Sequence, residues 1–154
     1  MKRILSILIM SILSLSLGAF ANQAEVSSTF NKYVQASNSY SNDVPNYYQN
    51  GAKIYRVVNK KQGGQHTVTI PFDRFIKELH KNSTLAKTVK YKNTYVNQKI
   101  TKIDNNNYKL SATRIPRNDK YGLPCYFIFT KTNSGWKIKE ESMTTNVQTF
   151  LNAK

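Results

Sequence analysis

Eight carboxylates, two histidines and one cysteine are all that 154 residues supply for acid–base, metal or nucleophilic chemistry. A proton shuttle of the isomerase or dehydratase kind needs a carboxylate open to a cavity and facing a donor that stabilises an enolate. Most of the acids have a nearer use. Asp73 and Glu78 fall on one helical segment, Asp73 near a first turn that the helix dipole favours and Glu78 towards solvent. Asp104 opens the run Asp104-Asn105-Asn106-Asn107 and Asp119 sits in a loop, so both read as turn formers, while Asp43 suits a helix cap. Glu140 is the carboxylate best placed to reach a sheet cavity, although an ion pair with Arg114 or a neighbouring lysine is its simpler use. His66 and His80 have no ligand spacing around them, so no metal is expected. Cys125 stands in an apolar run without a histidine partner and reads as a buried structural thiol. No Gly-x-Ser-x-Gly elbow occurs, and Gly63-Gly64 lacks the residues of a phosphate loop. No cofactor is expected, and a noncatalytic role is favoured.

The alternative to chemistry is attraction. The formal charge of +15 falls to +13 when Lys2 and Arg3 are lost with a leader peptide, a large excess for the size. It favours an anionic envelope component, an acidic protein or a small apolar or anionic ligand. Lysines are spread over Lys60-Lys61, Lys87 to Lys102 and the Lys131, Lys137, Lys139 group, with Tyr91, Tyr95, Tyr108, Tyr121 and Tyr126 between them. Such a surface could stack single-stranded nucleic acid, but export argues against that partner.

Export follows from the N-terminus. Lys2 and Arg3 precede the apolar stretch Ile4 to Leu17, and Ala19-Phe20-Ala21 has the small-x-small pattern of a cleavage site. Residues 1–21 are therefore expected to be a signal peptide and the product periplasmic or secreted, with no membrane span in the mature chain. What remains is one domain over 22–145 and a polar tail or final helical turn over 146–154. A lone cysteine allows no internal disulfide, so packing alone must stabilise the domain.

Patterning then places the elements. Val26, Phe30, Tyr33 and Val34 predict a helix over Gln23 to Ser37, and Asp43 with Pro45 a short helical turn that carries Tyr47 and Tyr48 and stops at Asn50-Gly51. Strands are expected over Ala52 to Val58 and His66 to Ile70, then a helix over Pro71 to His80 closed by Asn82-Ser83. Four extended runs follow, Thr88 to Ile103, Tyr108 to Arg114, Pro124 to Lys131 and Trp136 to Thr145. Alternation puts Tyr108, Leu110, Ala112 and Arg114 on one face and Cys125, Phe127 and Phe129 on another. Trp136 and Ile138 share a third, which Glu140 and Ser142 continue unless a bulge reverses the assignment. The expected class is α+β, a curved, mostly antiparallel sheet forming a cone covered by N-terminal and central helices.

This order of elements resembles the cone fold of nuclear transport factor two, ketosteroid isomerase and the SnoaL-like proteins over nearly all of Asn22 to Thr145. NDVPNYYQNGAKIYRVV and the late hairpin CYFIFTKTNSGWKIKEES carry the likeness, with Trp136 starting the final strand. The resemblance implies a fold that hosts enzymes, ligand binders and adaptors alike, so function must come from a site. It also implies a helix over the cavity entrance, which would place Tyr47 and Tyr48 at a mouth walled by Tyr108 and Arg114, with Glu140 near. The leading expectation is a noncatalytic binding domain for a protein or small envelope ligand. An isomerase, dehydratase or hydrolase using a carboxylate or tyrosine in the cavity is the second, and a domain for homodimer packing through the outer sheet the third.

Overall fold

The structure, a computed structural model, describes residues 2–117 and 120–152, the first sixteen of these as backbone only. Asp119, read above as a turn former, lies outside the described residues. Helix α1 spans Lys2–Asn38, crossing the expected cleavage point after Ala21 without a break. Among the side chains described, from Gly18 on, its buried stripe is Val26, Phe30 and Tyr33, beyond that point. Among the described residues no helix is long and apolar enough to cross a membrane.

A 3₁₀ turn, Val44–Tyr47, leads into β1, Tyr48–Asn59. Asp43 begins this turn through its carbonyl, which accepts from Asn46 N at 2.9 Å, but its side chain does not cap it and takes the Ser41 hydroxyl instead. Asn50-Gly51 does not end an element. Gly51, at φ +70°, falls in a register irregularity within β1, so Tyr48 is already a strand residue.

After β2, Gln65–Ile70, helix α2 runs over Phe72–Thr88, well past the expected stop at Asn82-Ser83. The polar side chains there are satisfied within the helix and do not break it. Ser83 Oγ donates to His80 O at 3.0 Å, Thr88 Oγ1 to Thr84 O at 3.0 Å, and Asn82 Nδ2 to Glu78 at 3.4 Å. Both helices end on a non-glycine residue in the left-handed region, Tyr40 at φ 61° and Lys90 at φ 52°. At each end two bonds return to the last turn, from Ser41 N to Ala36 O and Tyr40 N to Ser37 O, and from Tyr91 N to Ala86 O and Lys90 N to Lys87 O.

The remaining strands are β3 Asn93–Lys102, β4 Asn107–Pro116, β5 Leu123–Thr132 and β6 Gly135–Thr145. Thr88 thus belongs to α2, and β3 begins five residues later than the sequence pattern suggests. The single curved sheet has the order β2-β1-β6-β5-β4-β3; every pairing is antiparallel except β1 with β6, which is parallel. The helices cover one face, and the core between them is largely aromatic. Phe30 lies 5.0 Å from Phe127 and 5.2 Å from Tyr95 between ring centroids, and Tyr33 lies 5.6 Å from Phe127. Trp136 Nε1 donates to Glu25 at 2.8 Å and ties α1 to the start of β6. The C-terminal segment forms a 3₁₀ turn, Gln148–Asn152, whose Phe150 packs against the core.

Register decides which β6 residues face the helices. Ile138 pairs with Phe129, but Glu140 pairs with Ile128, so Lys139 is an extra residue opposite that step. This bulge inverts the alternation. Trp136 and Ile138 point into the core, and beyond the bulge it is Glu141 and Met143 that do so, while Glu140 and Ser142 lie on the other face.

Candidate functional site

Between the inner face of the sheet, α2 and the C-terminal end of α1 lies a cavity of about 800 Å³. Its apolar walls include Ile70, Phe75, Leu79, Met143 and Phe150. On the β1 and β6 side Arg56 and Glu141 form a buried ion pair, 2.8 Å from Arg56 Nη1 to Glu141 Oε1, with the side chains 12% and 1% exposed. The Arg56 guanidinium is lodged between aromatic rings, 5.7 Å from the centre of Phe75 and 6.0 Å from that of Phe150.

The second carboxylate oxygen accepts a hydrogen bond from the Tyr48 hydroxyl. Tyr33 Oη lies 3.2 Å from Tyr48 Oη, and because the single Tyr48 proton goes to the stronger acceptor, the carboxylate, Tyr33 supplies the proton for that contact. Burial first, and then the Glu141 charge, hold both phenols well above the ordinary tyrosine range. Both are therefore donors. Glu141 Oε1 thus lies against Arg56 as an ion pair without a hydrogen bond, and Oε2 accepts from Tyr48.

Across the cavity, Arg114 from β4 is 6% exposed and makes three hydrogen bonds. Nη1 donates to Tyr91 Oη at 3.2 Å and to Asn93 Oδ1 at 3.0 Å, and Nη2 donates to Thr144 O at 2.9 Å. Its Nε has no hydrogen-bond partner among the described residues. The lining carboxylates each face another arginine, Glu141 facing Arg56 and Glu78 facing Arg74 at 3.6 Å on the more exposed α2 surface.

The sequence candidates scatter. Arg114 lines the cavity. Tyr48 is buried behind Glu141 and supports it from below the lining. Tyr47 packs edge-on to Tyr33 at 6.0 Å and borders a separate shallow cleft with Trp136 and Lys137. Tyr108 is fully buried against Trp136 at 5.4 Å and is a core residue. Glu140 lies on the outer face, accepting from Tyr126 Oη at 2.8 Å, and neither reaches the cavity nor pairs with Arg114. Cys125 is buried and donates to Ala112 O at 3.4 Å; burial pushes its thiol up to about 12. Among the described residues no three metal-ligating side chains gather. Arg56 and Glu141 were missed. Arg56 could have been found, since it alternates with Ile54 and Val58 on the buried face of β1. Glu141 depends on the bulge, which no local residue type announces.

The fold so described is the nuclear transport factor two-like, or cystatin-like, cone. A nuclear transport factor two-like protein with a cystatin-like fold from Novosphingobium aromaticivorans matches with TM-score 0.66 at 9% identity, over 88% of this chain and 89% of that one. A protein from the same organism, provisionally called a scytalone dehydratase, matches with TM-score 0.63 at 8% identity, over 83% and 86%. A protein of unknown function from Pseudomonas putida matches with TM-score 0.64 at 8% identity, over 84% and 92%. No family model and no curated protein matches the chain. At such identities the likeness fixes the fold, not the chemistry.

Proposed function

We propose that this is a noncatalytic binding domain of the bacterial envelope, periplasmic or secreted, that takes a small, largely apolar molecule into the cone cavity. The observation that carries this reading is the cavity itself, about 800 Å³ between sheet and helices, whose deeply buried carboxylate, Glu141, is ion-paired with Arg56 and takes the Tyr48 hydroxyl. That volume is in the range of small-molecule sites, and its mixture of apolar walls with a few fixed polar groups is their usual make-up. Exclusion of water from Ile70, Phe75, Met143 and Phe150 supplies the affinity. The cationic surface concentrates the domain near anionic envelope polymers.

The uncharged dye N-phenyl-1-naphthylamine, which brightens in apolar surroundings, tests the reading. Saturable one-to-one binding is expected, abolished by Ala86→Trp, which fills the cavity from a half-buried position on α2. Absence of saturable binding, or full binding in the filled variant, would reject it. The enzyme alternative rests on the dehydratase description of a structural neighbour, and the engaged state of Glu141 counts against it.

A further inference from the structure

We infer that the cavity ligand carries a single carboxylate, received by Arg114, Tyr91 and Asn93 where the end of α1 is clasped to the start of β3. The inference rests on the cavity-binding reading above and adds the ligand's charge and the place where that charge docks.

The corner is built. Asn38 Nδ2 donates to Asn93 O and Asn93 N donates to Asn38 Oδ1, both at 2.9 Å, which joins α1 to β3. Tyr91, Asn93 and Arg114 all line the cavity, and the Arg114 bonds fix what the other two present. Arg114 occupies a lone pair of the Tyr91 hydroxyl and the Asn93 side-chain carbonyl. What remains on those groups is the phenol O–H and the amide N–H₂, and both are donors. Two residues beyond Asn38, Tyr40 also lines the cavity, held in a left-handed backbone conformation, with its hydroxyl buried and without a partner. The two side chains that Arg114 holds, Tyr91 and Asn93, thus present donors.

Charge gives the same answer. Arg56 is neutralised by Glu141, whereas no carboxylate among the described residues lies within ion-pair distance of the nearly buried Arg114. A guanidinium taken out of water without a counter-ion is costly, and an anion entering the cavity offsets that cost. One uncompensated cation matches one negative charge. A carboxylate meets this condition, whereas the dianion of a phosphate monoester would bring a second charge into the same low-dielectric space.

The test uses the purified full chain and two probes of nearly equal shape, 2-naphthoate and 2-acetylnaphthalene, titrated calorimetrically at pH 7 in 0.15 M NaCl. Charge-assisted hydrogen bonds of the usual strength predict that 2-naphthoate binds about tenfold to hundredfold more tightly than the neutral ketone. In Arg114→Met the advantage should vanish while ketone affinity is kept, which also reports that the cavity has stayed intact. If Arg114→Met does not fold, Tyr91→Phe takes its place and should lower 2-naphthoate affinity by about threefold to tenfold. Equal affinity of the two probes in the wild type overturns the inference and leaves the apolar cavity standing. Tighter binding of 2-naphthyl phosphate than of 2-naphthoate overturns the single-charge argument. Failure of both naphthalene probes and of the neutral dye overturns the cavity reading and this inference with it.

Discussion

Replacing Glu141 by glutamine keeps the side chain's shape and leaves an oxygen to accept from Tyr48, but it sets an uncharged group against Arg56 at a 2.8 Å contact. The cation then has no counter-charge in a place where its side chain is only 12% exposed. Breaking a buried pair from one side costs about 3–5 kcal/mol. The flanking rings of Phe75 and Phe150 hold the cation in wild type and variant alike and so cancel, and the residual exposure of Arg56 places the loss in the lower half of that range. Urea unfolding followed by the single Trp136 is the assay. With a slope of about 1.5 kcal/mol per molar urea, the midpoint should fall by about 2–3 M. Arg56→Met should cost a similar amount by stranding Glu141. The double variant should cost much less than the sum, with a coupling of at least about 2 kcal/mol. Because the pair is buried, raising NaCl from 0.15 to 1 M should leave these losses nearly unchanged. A Glu141→Gln loss below about 1 kcal/mol, or additive single variants, would refute the reasoning.

Tyr48→Phe removes the neutral donor from Glu141 and should lower stability by about 1.5–3 kcal/mol in the same assay, whereas Tyr47→Phe, in a half-buried ring without that bond, should change it by under about 0.5 kcal/mol. Burial holds the Cys125 thiol near 12, against 9.0 in its ordinary state, so the stability it contributes is complete below pH 9 and is lost as pH rises towards 12. Cys125→Ala should therefore flatten the fall of the urea midpoint between pH 8 and 11, and a native thiol that reacts with an aromatic disulfide reagent as fast as the unfolded chain would contradict the burial. Chain recovered from the envelope should begin at Asn22. Because Val26, Phe30 and Tyr33 all lie beyond that cut, the processed and full-length chains should unfold at the same urea concentration, and a large difference would mean that residues 1–21 support the core.

Period-two alternation placed β4 and β5 correctly because burial on one face and partial exposure on the other are written directly in their residue types. The N-terminal stripe of Val26, Phe30 and Tyr33 was legible for the same reason. Helix α2 was underread because Asn82, Ser83 and Thr88 look like breakers, yet each finds its partner inside the helix. Arg114 was placed in the cavity wall by the resemblance to the cone fold, alternation supplying only the face it shares with Tyr108. Its neighbours Tyr91 and Asn93 were not, since their position depends on the α1–β3 clasp through Asn38, a contact across 55 residues. Tyr108 and Glu140 were misplaced for opposite reasons. Tyr108 meets Trp136 by tertiary packing that no local pattern reports, and Glu140 sits one residue beyond a bulge.

That bulge makes the inward carboxylate independent of one residue of length in β6. Loss of Lys139 alone, with every other residue retained, would remove the extra residue and restore strict alternation after Ile138, leaving Glu140 opposite Ile128 and Glu141 and Met143 still turned to the helices. Arg56 would keep its counter-ion. A lineage carrying this fold could therefore gain or lose this residue by a single codon insertion or deletion while the charges of the cavity stay as they are.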